Sequence, residues 1–176
     1  MLTTGPGGRT FVGAIVDTLA TAGVSTLCVV VPPGLERMVA HGVSNPDPTA
    51  GMLSSVQCGL RAFREELDAV LVWPVDHPLV RHETVIAMVA AFRNSGAPIV
   101  VPFHDGRRGH PTLFAASVFS ELLAADPSRG ARGVVHAHED RIELAVADRG
   151  VIVDIDTPED YARNFEKSVT SPKERS

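Results

Sequence analysis

The chain has 176 residues, of which 44% are hydrophobic and 21% charged, a composition that excludes disordered and fibrous proteins. Its formal net charge of −5 argues against a protein that binds a nucleic-acid backbone through a basic face. The longest uncharged apolar run extends only from Val24 to Gly34, which is too short to cross a bilayer. Residues 1–9 carry no basic-then-apolar signal, so we expect a cytoplasmic protein without membrane contact.

The length fits one domain, which we expect to span residues 1–167, followed by a charged, flexible tail over residues 168–176. Cys28 and Cys58 each lie in an apolar segment. They are predicted to be small core residues in a reducing compartment and not a disulfide or a metal-binding pair.

Helix-like and strand-like segments alternate along the chain. Apolar residues recur at helical spacing, and helices are predicted, at residues 10–22, 35–41, 54–66, 83–95, 117–125 and from Pro158 onward. Short apolar runs predict strands at residues 24–31, 69–75, 98–102, 112–114, 142–146 and 151–155. Residues 42–51, 103–111 and 126–133 are predicted to be loops. The order indicates an α/β domain with a mostly parallel sheet, in which ligands bind beyond the carboxyl ends of the strands.

Asp76 directly follows the second predicted strand, in the segment Val75-Asp76-His77-Pro78-Leu79. A carboxylate at this edge is suited to a hard divalent cation such as Mg²⁺, which prefers oxygen ligands. The alternative is that Asp76 only caps the helix that follows.

Asp154 and Asp156 precede the last predicted helix, and side chains two apart on an extended segment point the same way. They are candidate metal ligands, provided that Asp76 lies close by. The alternative is a helix cap by Asp156 or Thr157, with Pro158 in the first turn.

Two further segments are weaker candidates. Gly51, Ser54 and Ser55 surround a predicted helix start, where exposed N–H groups suit an anion or a nucleotide. The loop 106–111 carries Arg107, Arg108 and His110, which suit an anionic second substrate, although a solvated surface loop explains the arginines equally well. Neither a nucleophile-elbow serine nor a lysine-containing phosphate loop is present, so covalent and P-loop chemistry are unsupported.

The order of these segments resembles the MobA-like nucleotidyltransferase family, and within it the molybdenum cofactor cytidylyltransferases. The resemblance runs from Gly8 to about Phe165. The motifs that carry it are Gly8-Arg9-Thr10 before a helix ending at Ala22-Gly23-Val24, Gly51-Met52-x-Ser54-Ser55-Val56-x-x-Gly59-Leu60, Val75-Asp76-His77-Pro78-Leu79, Gly109-His110-Pro111-x-Leu113-Phe114 and Asp154-Ile155-Asp156-Thr157-Pro158-Glu159-Asp160.

The resemblance implies a three-layer α/β/α, Rossmann-like (GT-A-like) nucleotidyltransferase fold. It also implies transfer of a nucleoside monophosphate from CTP or GTP to a phosphorylated acceptor such as molybdopterin, with Mg²⁺ as cofactor. Asp76 and Asp156 are then the catalytic metal ligands, with Asp154 as a further candidate. The nucleotide-binding residues are Gly51, Ser54 and Ser55, and the acceptor-binding residues are His110 and Arg107.

The chain departs from the family pattern in three places. Residues 1–8 do not contain the family's first strand and its glycine-rich triphosphate loop, so unpaired strand edges, possible homo-oligomerisation and feeble or no transferase activity are expected. Arg129 stands where the family has Asp before Gly-Ala-Arg, and His77 stands where Gln or Met is usual. The alternatives are a non-catalytic nucleotide- or cofactor-binding remnant or partner-binding module and, less favoured, a sugar-nucleotide glycosyltransferase.

Overall fold

The computed structural model describes residues 9–165; the predicted tail lies outside them. The helices are α1 (Phe11–Thr21), α2 (Met52–Ala62), α3 (His82–Ser95), α4 (Phe119–Ala124), α5 (Arg132–Ala137) and α6 (Pro158–Phe165). The strands are β1 (Val29–Val31), β2 (Gly42–Ser44), β3 (Ala69–Val72), β4 (Ile99–His104), β5 (Arg107–Arg108), β6 (Thr112–Ala115) and β7 (Ile142–Ala145). Short 3₁₀ helices occupy Pro48–Ala50, Ala116–Val118, Pro127–Arg129 and Arg149–Ile152. Within residues 9–165 no helix combines the length and apolarity that a membrane crossing needs.

Helix α1 shows how the sequence sets local structure. The Thr10 hydroxyl accepts a hydrogen bond from the N–H of Gly13 at 3.0 Å, which satisfies one of the free N–H groups at the helix start. Ile15 and Leu19, four residues apart, lie on one face and are buried. The predicted helix over residues 10–22 is therefore confirmed, with its cap at the first predicted residue.

The prediction of a mostly parallel sheet is only partly correct. β1 pairs with β2 and β4 pairs with β7 in parallel, whereas β6 runs antiparallel between β3 and β4, and β5 runs antiparallel to β4. After β4 the chain reverses tightly at Asp105 and Gly106, both with positive φ, and returns through β5 and β6 without a crossover helix. A chain that reverses in this way places its next strand antiparallel.

Helices cover both faces of the larger sheet, which gives the predicted three layers. Along β4, Ile99 and Val101 point to one face and contribute to a core with Leu53 and Leu122, from α2 and α4. Val100 points to the other face and packs in a core with Met88 of α3. This alternation follows from the two-residue period of a strand.

Five predicted segments differ from the structure. The loop predicted over 103–111 contains β5 and the end of β4. Residues 35–41 form turns and not a helix, and the predicted loop over 42–51 contains β2. Residues 151–155 form no strand, because they end a 3₁₀ helix and then run extended beside another segment. The predicted loop over 126–133 includes the start of α5. In each case the local sequence is short, and packing against distant residues decides its conformation.

An apolar slot of about 680 Å³ separates β1 from β3. No backbone pairing joins these strands among the described residues, so β1–β2 forms a sheet of its own. The slot is lined by side chains of α1, α2 and α3 as well as both strands, and residues of β1 and β3 are only half-buried. Side chains that border an open apolar slot have fewer packing partners than those of a close-packed interior.

Candidate functional site

Two predicted acidic segments meet in the structure. The backbone N–H of Ile155 donates to the carbonyl of Asp76 at 2.8 Å. Ile155 is buried, whereas Asp154 and Asp156 on either side of it are exposed. Since side chains alternate along an extended segment, the carboxylates of Asp154 and Asp156 both project to the side opposite the Ile155 side chain. The metal-ligand hypothesis required Asp76 to be near this segment, and the backbone contact meets that requirement.

Asp76 follows β3 by four residues, in a turn in which the N–H of His77 donates to the carbonyl of Pro74 at 3.2 Å. The Trp73 indole N–H donates to the carbonyl of His77 at 3.0 Å and holds this turn against the end of the strand. The Asp76 side chain is 39% exposed, yet its Oδ1 is buried and has no hydrogen-bond partner within residues 9–165. An unpaired carboxylate oxygen at this edge is suited to an oxygen-preferring cation.

His77 and His110 lie against each other beside Asp76. Their ring centroids are 4.8 Å apart, and His77 Nε2 is 3.9 Å from Asp76 Oδ1. In both rings Nδ1 is buried without a partner among the described side chains and backbone. Burial, then His77 and then Arg132, lower the pKa of His110 to about 4, so its imidazole is neutral near pH 7. Two predicted site residues, Asp76 and His110, are thus brought together through His77.

The approach of His110 depends on Gly109. The N–H of His110 donates to the carbonyl of Val151 at 2.8 Å, and a Cβ on Gly109 would come within 2.2 Å of that same oxygen. Only glycine therefore allows this contact. Arg107 lies two residues before Gly109, exposed on the hairpin that extends β4.

The start of α2 is held by hydrogen bonds among neighbouring side chains and backbone groups. Asn45 is 2% exposed, and its amide N–H groups donate to Ser54 Oγ at 2.8 Å and to Ser55 Oγ at 3.0 Å. The Ser54 hydroxyl in turn donates to the carbonyl of Gly51 at 2.7 Å. Gly51 has φ +104°, and a Cβ there would meet the Pro127 carbonyl at 2.8 Å. Ser54 is thus a buried, internally bonded residue, and Ser55 is half-buried.

Asp148 is a buried carboxylate outside the predicted site segments. It accepts hydrogen bonds from the N–H of Arg81 at 2.8 Å, the hydroxyl of Thr84 at 2.7 Å and the N–H of Gly150 at 2.9 Å. These contacts join the start of α3 to the segment that leads to Asp154. No sequence motif marks Asp148, because its partners Arg81 and Thr84 lie more than sixty residues away. No motif marks Asn45 either, because its burial depends on how the chain before α2 folds back on the helix start.

Within residues 9–165 no three His, Cys, Asp or Glu side chains are grouped so that they hold a metal ion by themselves. The donor chemistry nevertheless fits a divalent cation, because Mg²⁺ is commonly bound by one or two carboxylates together with water and substrate phosphates. Asp76 Oδ1 supplies one unpaired oxygen, and Asp154 and Asp156 lie on the adjoining segment.

Comparison with known proteins gives a consistent result. Residues 2–142 match the family model described as MobA-like NTP transferase domain. The molybdenum cofactor cytidylyltransferase of Escherichia coli K12 is 26% identical over 119 residues, which are 68% of this chain and 59% of that protein. The chain thus spans less than two thirds of the length of this curated relative.

Two crystal structures of Rv0371c from Mycobacterium tuberculosis H37Rv have similar folds. The first has a TM-score of 0.76 at 24% identity, and the alignment covers 94% of this chain and 87% of the Rv0371c chain. The second, a complex with manganese, has a TM-score of 0.72 at 22% identity, and the alignment covers 94% of this chain and 90% of the Rv0371c chain. At these identities the likeness establishes the fold.

Proposed function

Because the chain belongs to the MobA-like NTP transferase domain family, we propose that it transfers a nucleoside monophosphate from CTP or GTP to a small phosphorylated acceptor such as molybdopterin. An oxygen of the acceptor phosphate attacks the α-phosphorus of the nucleotide. The bond from that phosphorus to the oxygen bridging to the β-phosphate breaks, and pyrophosphate leaves. Such a reaction needs positioning and charge neutralisation more than covalent help from the protein.

The observation that carries the proposal is the contact of Ile155 N–H with the Asp76 carbonyl, beside an Asp76 Oδ1 that has no protein partner in the described residues. We assign Asp76 and Asp156 as metal ligands, with Asp154 as the alternative second ligand. The cation, Mg²⁺ in this proposal, supplies charge neutralisation at the phosphates when bound.

The nucleotide is assigned to the start of α2. Gly51 and Ser55 border it, and Ser54 contributes by bonding to Gly51 and Asn45, which fixes the backbone of the first turn. The acceptor is assigned to the side of His110 and Arg107. His110 is neutral near pH 7 and offers an uncharged hydrogen-bonding surface, and Arg107 offers an exposed positive charge to a phosphate.

The test replaces Asp76 by Asn and measures pyrophosphate release from CTP and GTP with molybdopterin and Mg²⁺. We expect release by the unmodified chain to be slow but Mg²⁺-dependent, and D76N to lower it about 100-fold, since one charged group at a phosphoryl-transfer site has an effect of this order. D76N also weakens Mg²⁺-dependent nucleotide binding, which provides a second readout.

Asp17→Asn is the matched control, because Asp17 lies exposed on α1 and pairs only with exposed Arg9 in the described structure. It should leave release and binding unchanged. Equal release by D76N and the unmodified chain would contradict the assignment of Asp76.

The slot between β1 and β3 favours a second candidate, a nucleotide- or cofactor-binding module without turnover. Among residues 9–165 no strand joins β1 to β3, and two separate sheets position the residues at their carboxyl edges less firmly than one continuous sheet. Saturable CTP or GTP binding without pyrophosphate release at high protein concentration would select this candidate over the transferase.

A further inference from the structure

Three buried polar atoms without a partner in residues 9–165 lie in one cluster: Asp76 Oδ1, His77 Nδ1 and His110 Nδ1. The His77 side chain is only 11% exposed and packs against the His110 ring. Buried polar groups are nearly always hydrogen-bonded, so unpaired ones call for an explanation such as a bound ion or a catalytic role. The cluster lies beside the proposed metal site, but the proposed function assigns no role to His77. Of the three atoms, Asp76 Oδ1 is the one that faces a possible second ligand, His77 Nε2, which is the other nitrogen of that ring, at 3.9 Å.

The chemistry of the cluster differs from that of an all-oxygen site. A neutral imidazole offers a nitrogen lone pair, which suits Mn²⁺, Co²⁺ and Zn²⁺ better than Mg²⁺. Ligand atoms bound to one such ion at about 2.1 Å each are about 3.0–3.4 Å apart when adjacent and about 4.2 Å apart when opposite. The 3.9 Å between His77 Nε2 and Asp76 Oδ1 lies between these values, so both atoms reach one ion after a shift of about half an ångström toward the adjacent arrangement.

We propose that Asp76 Oδ1 and His77 Nε2 form a mixed oxygen–nitrogen pair that binds a divalent transition ion in preference to Mg²⁺. This inference rests on the proposed function, which places the metal beside Asp76. It goes beyond that function because it names a further ligand, His77, and a class of ion. His110 acts as a positioning residue, because its ring packs on that of His77. The second carboxylate of the proposed function, together with water and substrate oxygens, completes the coordination.

The test uses the full chain with Mn²⁺ alone, followed by electron paramagnetic resonance. A fall in the free-ion signal gives the affinity, and pulsed measurements report hyperfine coupling from a ligating ¹⁴N nucleus. We expect imidazole ¹⁴N coupling in the unmodified chain. His77→Gln should abolish it and weaken Mn²⁺ binding at least 10-fold, while Mg²⁺ binding, measured separately by calorimetry, changes less than twofold.

His136→Gln is the matched control, because His136 is exposed on α5; it should retain both the coupling and the affinity. Absence of ¹⁴N coupling in the unmodified chain overturns the proposal whether or not H77Q folds. Coupling that persists in H77Q but disappears in His110→Gln overturns the assignment to His77.

The two proposals fail separately. Mn²⁺ bound with ¹⁴N coupling but no pyrophosphate release from CTP or GTP contradicts the transferase alone. Mg²⁺-dependent release with no ¹⁴N coupling contradicts the mixed-ligand pair alone.

Discussion

At the scale of single residues, the starts of α2 and α3 are each held by one buried polar side chain that bonds to several groups at once. Asn45 bonds to Ser54 and Ser55 and also accepts the N–H of Asp47 at 3.0 Å through its Oδ1. Asp148 performs the same task at the start of α3. Such groups hold backbone segments in place because leaving any one of their partners unpaired in the interior costs free energy.

Asn45→Ala should lower the free energy of unfolding by about 2–4 kcal/mol, since it removes bonds to two hydroxyls and one backbone N–H at a buried position. Chemical denaturation monitored by circular dichroism measures the change. Asn94→Ala is the control, because Asn94 is exposed on α3 and should change stability by less than about 0.5 kcal/mol. Equal effects of the two substitutions would show that the Asn45 network adds no stability.

At the scale of elements, the β4–β5 hairpin carries Arg107 and leads to His110, and a surface ion pair attaches it to β7. Arg108 Nε donates to Glu143 Oε1 at 2.7 Å, and Arg141 lies 3.3 Å from the same oxygen. The Arg108 hydrogen bond, followed by that of Arg141, lowers the pKa of Glu143 below its ordinary value. The position of the hairpin therefore depends in part on the ionised carboxylate.

The pH dependence follows from that direction. Because the folded-state pKa of Glu143 lies below the unfolded one, the stabilisation is fully present above about pH 4.5 and is lost as the pH falls through the folded-state value. Glu143 is exposed to solvent, so the pair contributes no more than about 1 kcal/mol.

Glu143→Gln should therefore lower the protection of the hairpin amides against hydrogen exchange at pH 7. The difference in protection between pH 7 and pH 3.5 should also be smaller in this variant than in the unmodified chain. Exchange measured by mass spectrometry tests this. Glu65→Gln, at an exposed position after α2, is the control. A hairpin whose exchange responds to pH identically in E143Q and the unmodified chain would refute the role of the pair.

At the scale of the whole molecule, packing is uneven. The core between the sheet and α2, α4 and α5 contains fully buried residues such as Leu53, Phe114 and Leu122. Many of the side chains around the slot between β1 and β3, among them Leu67 and Val70, are only half-buried. The apolar area removed from water, and with it the stabilisation per residue, is therefore larger in the first region.

Leu122→Ala should lower the free energy of unfolding by about 2–5 kcal/mol, because it opens a cavity in a filled core. Leu67→Ala, the same truncation at the slot, should cost about 1 kcal/mol, since that side chain already borders empty space. Urea denaturation of both variants measures the difference. A cost for L67A equal to that for L122A would mean that the slot is filled in solution.

Much of the fold could be predicted from the sequence because its signals are local. Helical spacing in α1 and α3, the cap at Thr10 and the apolar runs of β3 and β4 depend on residues a few positions apart. The position of Asp76 after a strand and the Asp154–Asp156 pair before a helix were visible in the same way.

Tertiary structure alone decided the rest. The contact between Asp76 and Ile155, the packing of His77 on His110 and the hydrogen bonds of Asp148 to α3 join residues that are distant in the chain. The antiparallel insertion of β6 and the separation of β1 from β3 likewise depend on which strand edges meet. A sequence pattern reports the preference of a segment for helix or strand and for burial, whereas the choice of neighbours is fixed only when all segments compete for the same core.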